Sequence, residues 1–212
     1  MIALRAKAVD FEVTYINLRE KPDWFLKISP HGKVPVLDVD GVPLFESNAI
    51  AEYLDETVSP RLHPEDPIER ARNRAWTDFV PTFSGAFRAI YYNKDKAKVD
   101  EGLKAAPATV AKLEKALADR GNDGPYFNGP DLSLVDAAYA PFLQRFLIAE
   151  EKLQTGLLND FPLVKAWADT LMADDRVTGS VAPEFNEAFI ANLKRQEFYV
   201  GTLFPDEAAA AE

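Results

Sequence analysis

The chain has 212 residues, a formal net charge of −10 and apolar residues at 47% of its positions, which suits a globular protein with one large or two small hydrophobic cores. Because acidic proteins repel phosphate backbones, and because the lysines and arginines are scattered, the charge argues against nucleic acid as a partner. The absence of cysteine excludes disulfides, thiolate metal sites and cysteine nucleophiles within the chain, and two histidines leave little for a zinc site or a serine–histidine triad.

No run of about 18 apolar residues is present, so the sequence predicts no membrane-spanning helix and no membrane partner. The first nine residues lack the basic-then-apolar pattern of a secretion signal. We therefore expect a cytoplasmic protein.

The first elements in the chain are a strand and a short helix. Residues 11–17 alternate apolar and polar side chains and are rich in β-branched residues, which predicts a strand. Residues 22–28 begin with proline and suit a short helix, because proline is tolerated in a helix's first turn.

A hairpin and a second helix follow. Residues 34–39 and 42–45 read as its two strands, since Asp40-Gly41 supplies the positive φ angles of a tight turn. Ser47 is the predicted N-cap of a helix that ends near Thr57.

The character of the sequence changes near residue 60. Residues 59–67 contain three prolines and are predicted to be a linker. All later segments have helical periodicity, so the fold class is α/β followed by all-α. Helices are predicted over residues 68–93, 102–120, 133–150, 162–173 and 183–198, and the predicted division of the chain is 1–58, 59–67, 68–204 and an acidic tail at 205–212.

Three features of the first part could bind a peptide-like ligand. If the bond before Pro35 is cis, the backbone of Val34 turns outward and can pair with a peptide; the alternative is an edge proline without a role. The start of the helix near Ser47 can take a carboxylate, and Glu46 can hold an ammonium group beside it. The alternative is an ordinary serine cap next to a solvated glutamate. Lys21 could reach a second carboxylate, or it is simply solvated.

These residues belong to two longer runs that resemble the glutathione transferase superfamily, with the omega-like branch as the closest match. The runs are residues 16–37, which contain Ser-Pro-His-Gly-Lys-Val-Pro-Val-Leu, and residues 44–55, which contain Phe-Glu-Ser. In the helical part, Ser133 and Asp136 form an S-x-x-D capping box within a segment that resembles the N-capping segment of the family's helical domain. The resemblance covers nearly the whole chain.

The resemblance implies a thioredoxin-like domain that binds reduced glutathione, followed by an all-helical domain, in a homodimer without a metal. Val34 would pair with the cysteinyl backbone next to a cis Pro35. Glu46 and Ser47 would hold the γ-glutamyl end, and Lys21 the glycyl carboxylate.

The chain departs from the family at its start. Members begin with a strand, a loop with an activating Tyr, Ser or Cys, and then a helix, whereas residues 1–9 resemble only the end of that helix. We therefore expect a truncated thioredoxin-like domain whose central strand is missing between residues 11–17 and 34–39, and we assign no catalytic residue. Either the chain is a shortened version of a longer polypeptide, or the sheet has rearranged and catalysis is lost.

The expected reaction, with the N-terminus restored, is conjugation of glutathione to a small hydrophobic electrophile. The alternative is a non-catalytic binding or scaffold protein, and thiol–disulfide exchange would need a cysteine. Aromatic side chains at helical spacing could line the electrophile pocket or could equally form the core. The candidates are Phe79, Phe83, Phe87, Tyr91 and Tyr92, with Arg145 as a charge partner.

Overall fold

The hairpin forms with the predicted turn and second strand, but its first strand begins two residues later than predicted. In the computed structural model, which describes residues 1–205, β1 (Val36–Val39) pairs antiparallel with β2 (Val42–Phe45), and Val36 lies opposite Phe45. Asp40 and Gly41 have φ angles of 51° and 85°, which makes the two-residue turn that Asp-Gly favours. This hairpin is the only sheet in the described residues.

The first part of the chain also contains three helices: α1 (Ile2–Ala6), α2 (Asp23–Ile28) and α3 (Ser47–Thr57). Residues of α1 and α3 share a hydrophobic cluster with one residue before and one residue within the helical part. Its buried members are Ala3, Leu4, Ile50, Leu54, Leu62 and Leu134. The first part of the chain is thus a small thioredoxin-like domain whose core continues into the helices that follow.

The strand predicted over residues 11–17 is wrong. This segment has no regular secondary structure, and Tyr15 is 66% exposed. A strand is completed by backbone hydrogen bonds to a neighbour. Backbone hydrogen bonds to residues 10–18 are absent throughout the described chain, and β1 is bonded to β2 alone. The alternating pattern is therefore present without the partner strand that would use it.

Six helices form the second part of the chain, with two short 3-10 segments at Leu157–Asp160 and Tyr199–Leu203. The first of these helices begins at Pro67, where proline is tolerated in the first turn, and Asp66 caps it by accepting hydrogen bonds from the free amides of residues 68 and 69. The helices are α4 (Pro67–Tyr91), α5 (Lys96–Ala118), α6 (Leu134–Leu153), α7 (Pro162–Ala173), α8 (Asp175–Thr178) and α9 (Phe185–Arg195).

The predicted helix starts differ from the structure at α5, which begins six residues before residue 102. Asp95 accepts a hydrogen bond from Ala97 N at 2.8 Å and so caps the helix. The last helix ends at Arg195 rather than near residue 198. Of the predicted acidic tail, residues 206–212 lie outside the described residues, and the domain boundaries stay predictions.

The capping box of α6 is confirmed. Asp136 is fully buried and accepts hydrogen bonds from Ser133 N (2.7 Å), Phe127 N (2.9 Å) and the indole of Trp167 (2.5 Å). The carboxylate therefore fixes the start of α6, the loop before it and a side chain of α7.

A buried ion pair fastens the junction between the two parts. The Lys7 ammonium contacts Asp55 Oδ1 at 3.1 Å and donates to the carbonyls of Val58 (2.7 Å) and Pro60 (2.6 Å). Asp55 also accepts from Leu62 N at 2.6 Å. One lysine thus ties α1 to α3 and to the segment that leads into α4.

Within residues 1–205, no helix is long and apolar enough to cross a membrane.

Candidate functional site

A cleft of about 60 Å³ lies where the loop between α2 and β1 meets the start of α3. It brings together four of the five residues predicted to bind glutathione: Val34, Pro35, Glu46 and Ser47. Four further residues line it, and the sequence interpretation did not include them: Ser29, His31, Lys33 and Phe45.

The backbone of Val34 is available in this cleft. The bond between Val34 and Pro35 is cis, and the Val34 side chain is 49% exposed. Neither Val34 N nor Val34 O has a hydrogen-bond partner in the part of the chain that the structure describes. A peptide-like ligand could therefore use both groups.

Glu46 and Ser47 lie at the start of α3, but not as predicted. Glu46 O accepts the first helical hydrogen bond, from Ile50 N at 2.9 Å, so Glu46 and not Ser47 is the N-cap. Its φ of 67° turns the chain into the helix, and no side chain caps the free amides of α3. The Ser47 hydroxyl and these amides are therefore left for a carboxylate, which the helix dipole favours at this end.

Two lysines lie near the loop that leads to Val34, and one of them lines the cleft. Lys21 is not in the lining, and its ammonium lies 3.9 Å from the position that a Cβ on Gly32 would occupy. Lys33 does line the cleft. Its place directly before Val34-Pro35 in the sequence was the signal that could have found it.

An aromatic contact forms one wall. The rings of His31 and Phe45 meet edge to face, with centroids 5.6 Å apart. Of the cleft's lining side chains, only Ser29 and Ser47 carry a hydroxyl, and none is a tyrosine.

The aromatic residues proposed for an electrophile pocket belong mainly to the core. Phe83, Phe87 and Tyr91 are fully buried, with the Phe83 and Phe87 rings 4.6 Å apart. Burial raises the pKa of Tyr91, whose hydroxyl has no hydrogen-bond partner among the described groups. The helical spacing thus placed these rings against α6 and α9 rather than in an open cavity.

The other three candidates are half-buried. Phe79 and Tyr92 pack against the same core. The Arg145 guanidinium lies 4.9 Å over the ring of Phe185 and donates to Pro141 O at 2.6 Å. In residues 1–205, no group of three or more acidic or histidine side chains is placed to hold a metal ion.

Comparison with known proteins agrees with both halves of this arrangement. The family model of the glutathione S-transferase N-terminal domain matches residues 1–56, and that of the glutathione S-transferase C-terminal domain matches residues 96–170. The chain is 32% identical to glutathione S-transferase U19 of Arabidopsis thaliana over 200 residues, which cover 92% of this chain and 89% of the relative.

An omega-class protein is also among the relatives, as the resemblance implied. Glutathione S-transferase omega-1 of Rattus norvegicus is 32% identical, over 82% of this chain and 71% of its own. Among solved structures, rice GST1 in complex with glutathione superposes with a TM-score of 0.77 at 26% identity, over 92% of this chain and 90% of that chain. From its fold, the arrangement of its cleft and these relatives, the chain belongs to the glutathione transferase family.

Proposed function

We propose that this protein binds reduced glutathione in the cleft and conjugates it to a small hydrophobic electrophile. The observation that carries the proposal is that the cleft joins an unpaired backbone at Val34 to the uncapped start of α3 at Ser47. The rice relative, which was solved with glutathione, supports the choice of ligand.

Each end of the tripeptide has a complementary group in this arrangement. The γ-glutamyl carboxylate takes the Ser47 hydroxyl and the free amides of α3, and Glu46 pairs with the ammonium group. The cysteinyl backbone pairs with Val34. The glycyl carboxylate lies on the side of Lys33 and Lys21, where a lysine ammonium neutralises it.

The reaction is nucleophilic substitution by sulfur. The thiol loses its proton to solvent, the thiolate forms a carbon–sulfur bond with the electrophile, and the leaving group departs with its bonding electrons. The protein's contribution is to hold the tripeptide in place. We assign no side chain of the described chain as the group that activates the thiol.

Calorimetric titration with reduced glutathione tests the binding. We expect saturable binding that Ser47→Ala weakens about tenfold or more, because a hydrogen bond to a charged group contributes about 1.5–3 kcal/mol. Thr57→Ala serves as the control, since it removes a hydroxyl from the opposite end of α3, where it donates to Tyr53 O. A folded protein that shows no saturable binding contradicts the proposal.

The second candidate is a glutathione-binding protein without transferase chemistry. It rests on the cleft's lining, which contains no tyrosine or cysteine, and on Ser29, whose hydroxyl proton is already bonded to Lys33 O. A spectrophotometric assay with a chlorinated dinitrobenzene separates the two. Conjugate formed above the uncatalysed rate supports the transferase, and binding without conjugate supports the second candidate.

We also propose a cytoplasmic homodimer. The support is membership of the family and an apolar depression of about 330 Å³ beside the cleft, lined by residues of β2 and α3. Sedimentation equilibrium tests it, and a monomer at micromolar concentration contradicts it.

A further inference from the structure

Ser29 is a buried residue in the loop that carries Lys33 and Val34 into the cleft. It is 3% exposed and follows the last residue of α2, where its amide donates to Phe25 O at 2.9 Å. The backbone of Ser29 therefore continues from a fixed helix end, and its side chain has a defined starting position.

The Ser29 hydroxyl bonds both backbone groups of one residue. Ser29 Oγ accepts a hydrogen bond from Lys33 N at 2.9 Å and donates one to Lys33 O at 2.9 Å. Gly32 N donates to Ser29 O at 2.9 Å and closes the same turn. The positive φ of Gly32, 58°, is a conformation that glycine adopts without strain. A single side chain thus sets the orientation of Lys33.

Fixing Lys33 also fixes the Val34 amide. Lys33 C=O and Val34 N–H belong to one planar peptide unit, which is not among the cis bonds of the chain. In a trans unit the two groups point in opposite directions. With its carbonyl held by Ser29, this unit directs Val34 N–H away from Ser29, and that N–H has no partner in residues 1–205.

The Ser29 hydroxyl already uses its one proton as a hydrogen-bond donor. A serine hydroxyl has one proton, and that of Ser29 goes to Lys33 O. Although Ser29 lines the cleft, its side chain has no proton left to donate to a ligand sulfur.

We propose that Ser29 is a positioning residue for ligand binding, which aims the Val34 amide and the Lys33 side chain at the ligand without itself activating the thiol. The inference rests on the proposed function, because the ligand in question is glutathione.

The test compares Ser29→Ala with Ser84→Ala. Ser84 is also a buried serine, and its hydroxyl donates to Pro81 O at 3.1 Å within α4. We expect Ser29→Ala to weaken binding of reduced glutathione about tenfold, the effect of one misplaced hydrogen bond. The affinity of Ser84→Ala for glutathione should stay within about twofold of that of the original protein. This should hold even if thermal unfolding shows that Ser84→Ala and Ser29→Ala lose the same stability. Amide hydrogen exchange should become faster at Lys33 in Ser29→Ala alone.

A second pair of variants controls for packing. Ser29→Thr and Ser29→Val have nearly the same shape, and only threonine keeps a hydroxyl. The Ser29→Thr protein should bind glutathione about tenfold more tightly than the Ser29→Val protein.

The outcomes separate the two proposals. The positioning role is wrong, while the proposed function stands, if the original protein binds glutathione and Ser29→Ala binds it equally well. The same holds if Ser29→Val binds glutathione as well as Ser29→Thr does. If the original protein does not bind glutathione at all, the proposed function fails and the positioning role fails with it.

Discussion

Lys7→Met should destabilise the protein far more than the replacement of a lysine on its surface. The Lys7 side chain is fully buried, and its ammonium contacts the Asp55 carboxylate and the carbonyls of Val58 and Pro60. Methionine keeps the apolar stem of lysine and removes only the charged end. The change therefore isolates the ion pair.

The expected loss is about 3–5 kcal/mol of unfolding free energy, because removing one partner leaves a buried charge without compensation. The Asp55 side chain is 5% exposed, so water replaces little of the missing ammonium. Since a domain's total stability is about 5–15 kcal/mol, this is a large fraction of it. Changing Asp55 to Asn in the Lys7→Met background should restore roughly 1–2 kcal/mol, because asparagine keeps an oxygen for Leu62 N and carries no charge.

Urea unfolding followed by circular dichroism measures these changes. Lys165→Met is the matched control: it breaks a Lys–Asp pair of similar length, 2.8 Å to Asp169, whose side chains are 50% and 59% exposed. That change should cost less than about 1 kcal/mol. If Lys7→Met also costs less than about 1 kcal/mol, or if the asparagine change lowers stability further, the reasoning about this buried pair is refuted.

Three more predictions concern other buried or paired groups. Tyr91→Phe should leave the melting temperature unchanged or raise it, because the Tyr91 hydroxyl has no partner among the described groups; a loss above about 1 kcal/mol would reveal a bond that is not in the structure. Asp136→Ala should cost about 3–5 kcal/mol in urea unfolding, since the N–H groups of Phe127, Ser133 and Trp167 lose their acceptor; a loss below about 1 kcal/mol contradicts this. Hydrogen bonds from Arg74 hold the pKa of Glu52 below its ordinary value, so this carboxylate stabilises the fold above about pH 4.3 and the stabilisation is lost as the pH falls through its lowered pKa. The stability difference between the original protein and Glu52→Gln, measured from melting temperatures between about pH 7 and pH 3, should therefore shrink with acidification, and a constant difference is evidence against it.

Local sequence signals predicted the parts of the fold that are decided locally. Asp40-Gly41 requires only its own φ angles, and the box of Ser133 and Asp136 spans one helical turn. Pro162 marks the start of α7 for the same reason. In each case the interacting groups lie within four residues of one another.

The predictions that failed concern features decided by groups that are distant in sequence. Residues 11–17 have the pattern of a strand, but pairing requires a neighbour that a pattern does not supply. Phe83 and Phe87 have the same spacing whether they face a ligand or α6, and the docking of α6 decides it.

The sequence predicted only the part of the candidate site that lies in short local motifs. Val34, Pro35, Glu46 and Ser47 belong to two short motifs, and the hairpin brings these motifs together. Lys33 was missed although it directly precedes Val34-Pro35 in the sequence, and its place in the cleft depends in addition on the turn that Ser29 holds. The N-cap was placed one residue late because the positive φ of Glu46 is not apparent from a glutamate in the sequence.

The unpaired edge of β1 also bears on how the protein behaves in concentrated solution. An edge strand with free N–H and C=O groups is a template for strands of other molecules, and charged or proline residues usually protect it. The segment 11–17 also exposes Val13 at 41% and Tyr15 at 66%. Intermolecular pairing along this edge would grow with protein concentration, so the light scattered per molecule should rise as the protein is concentrated.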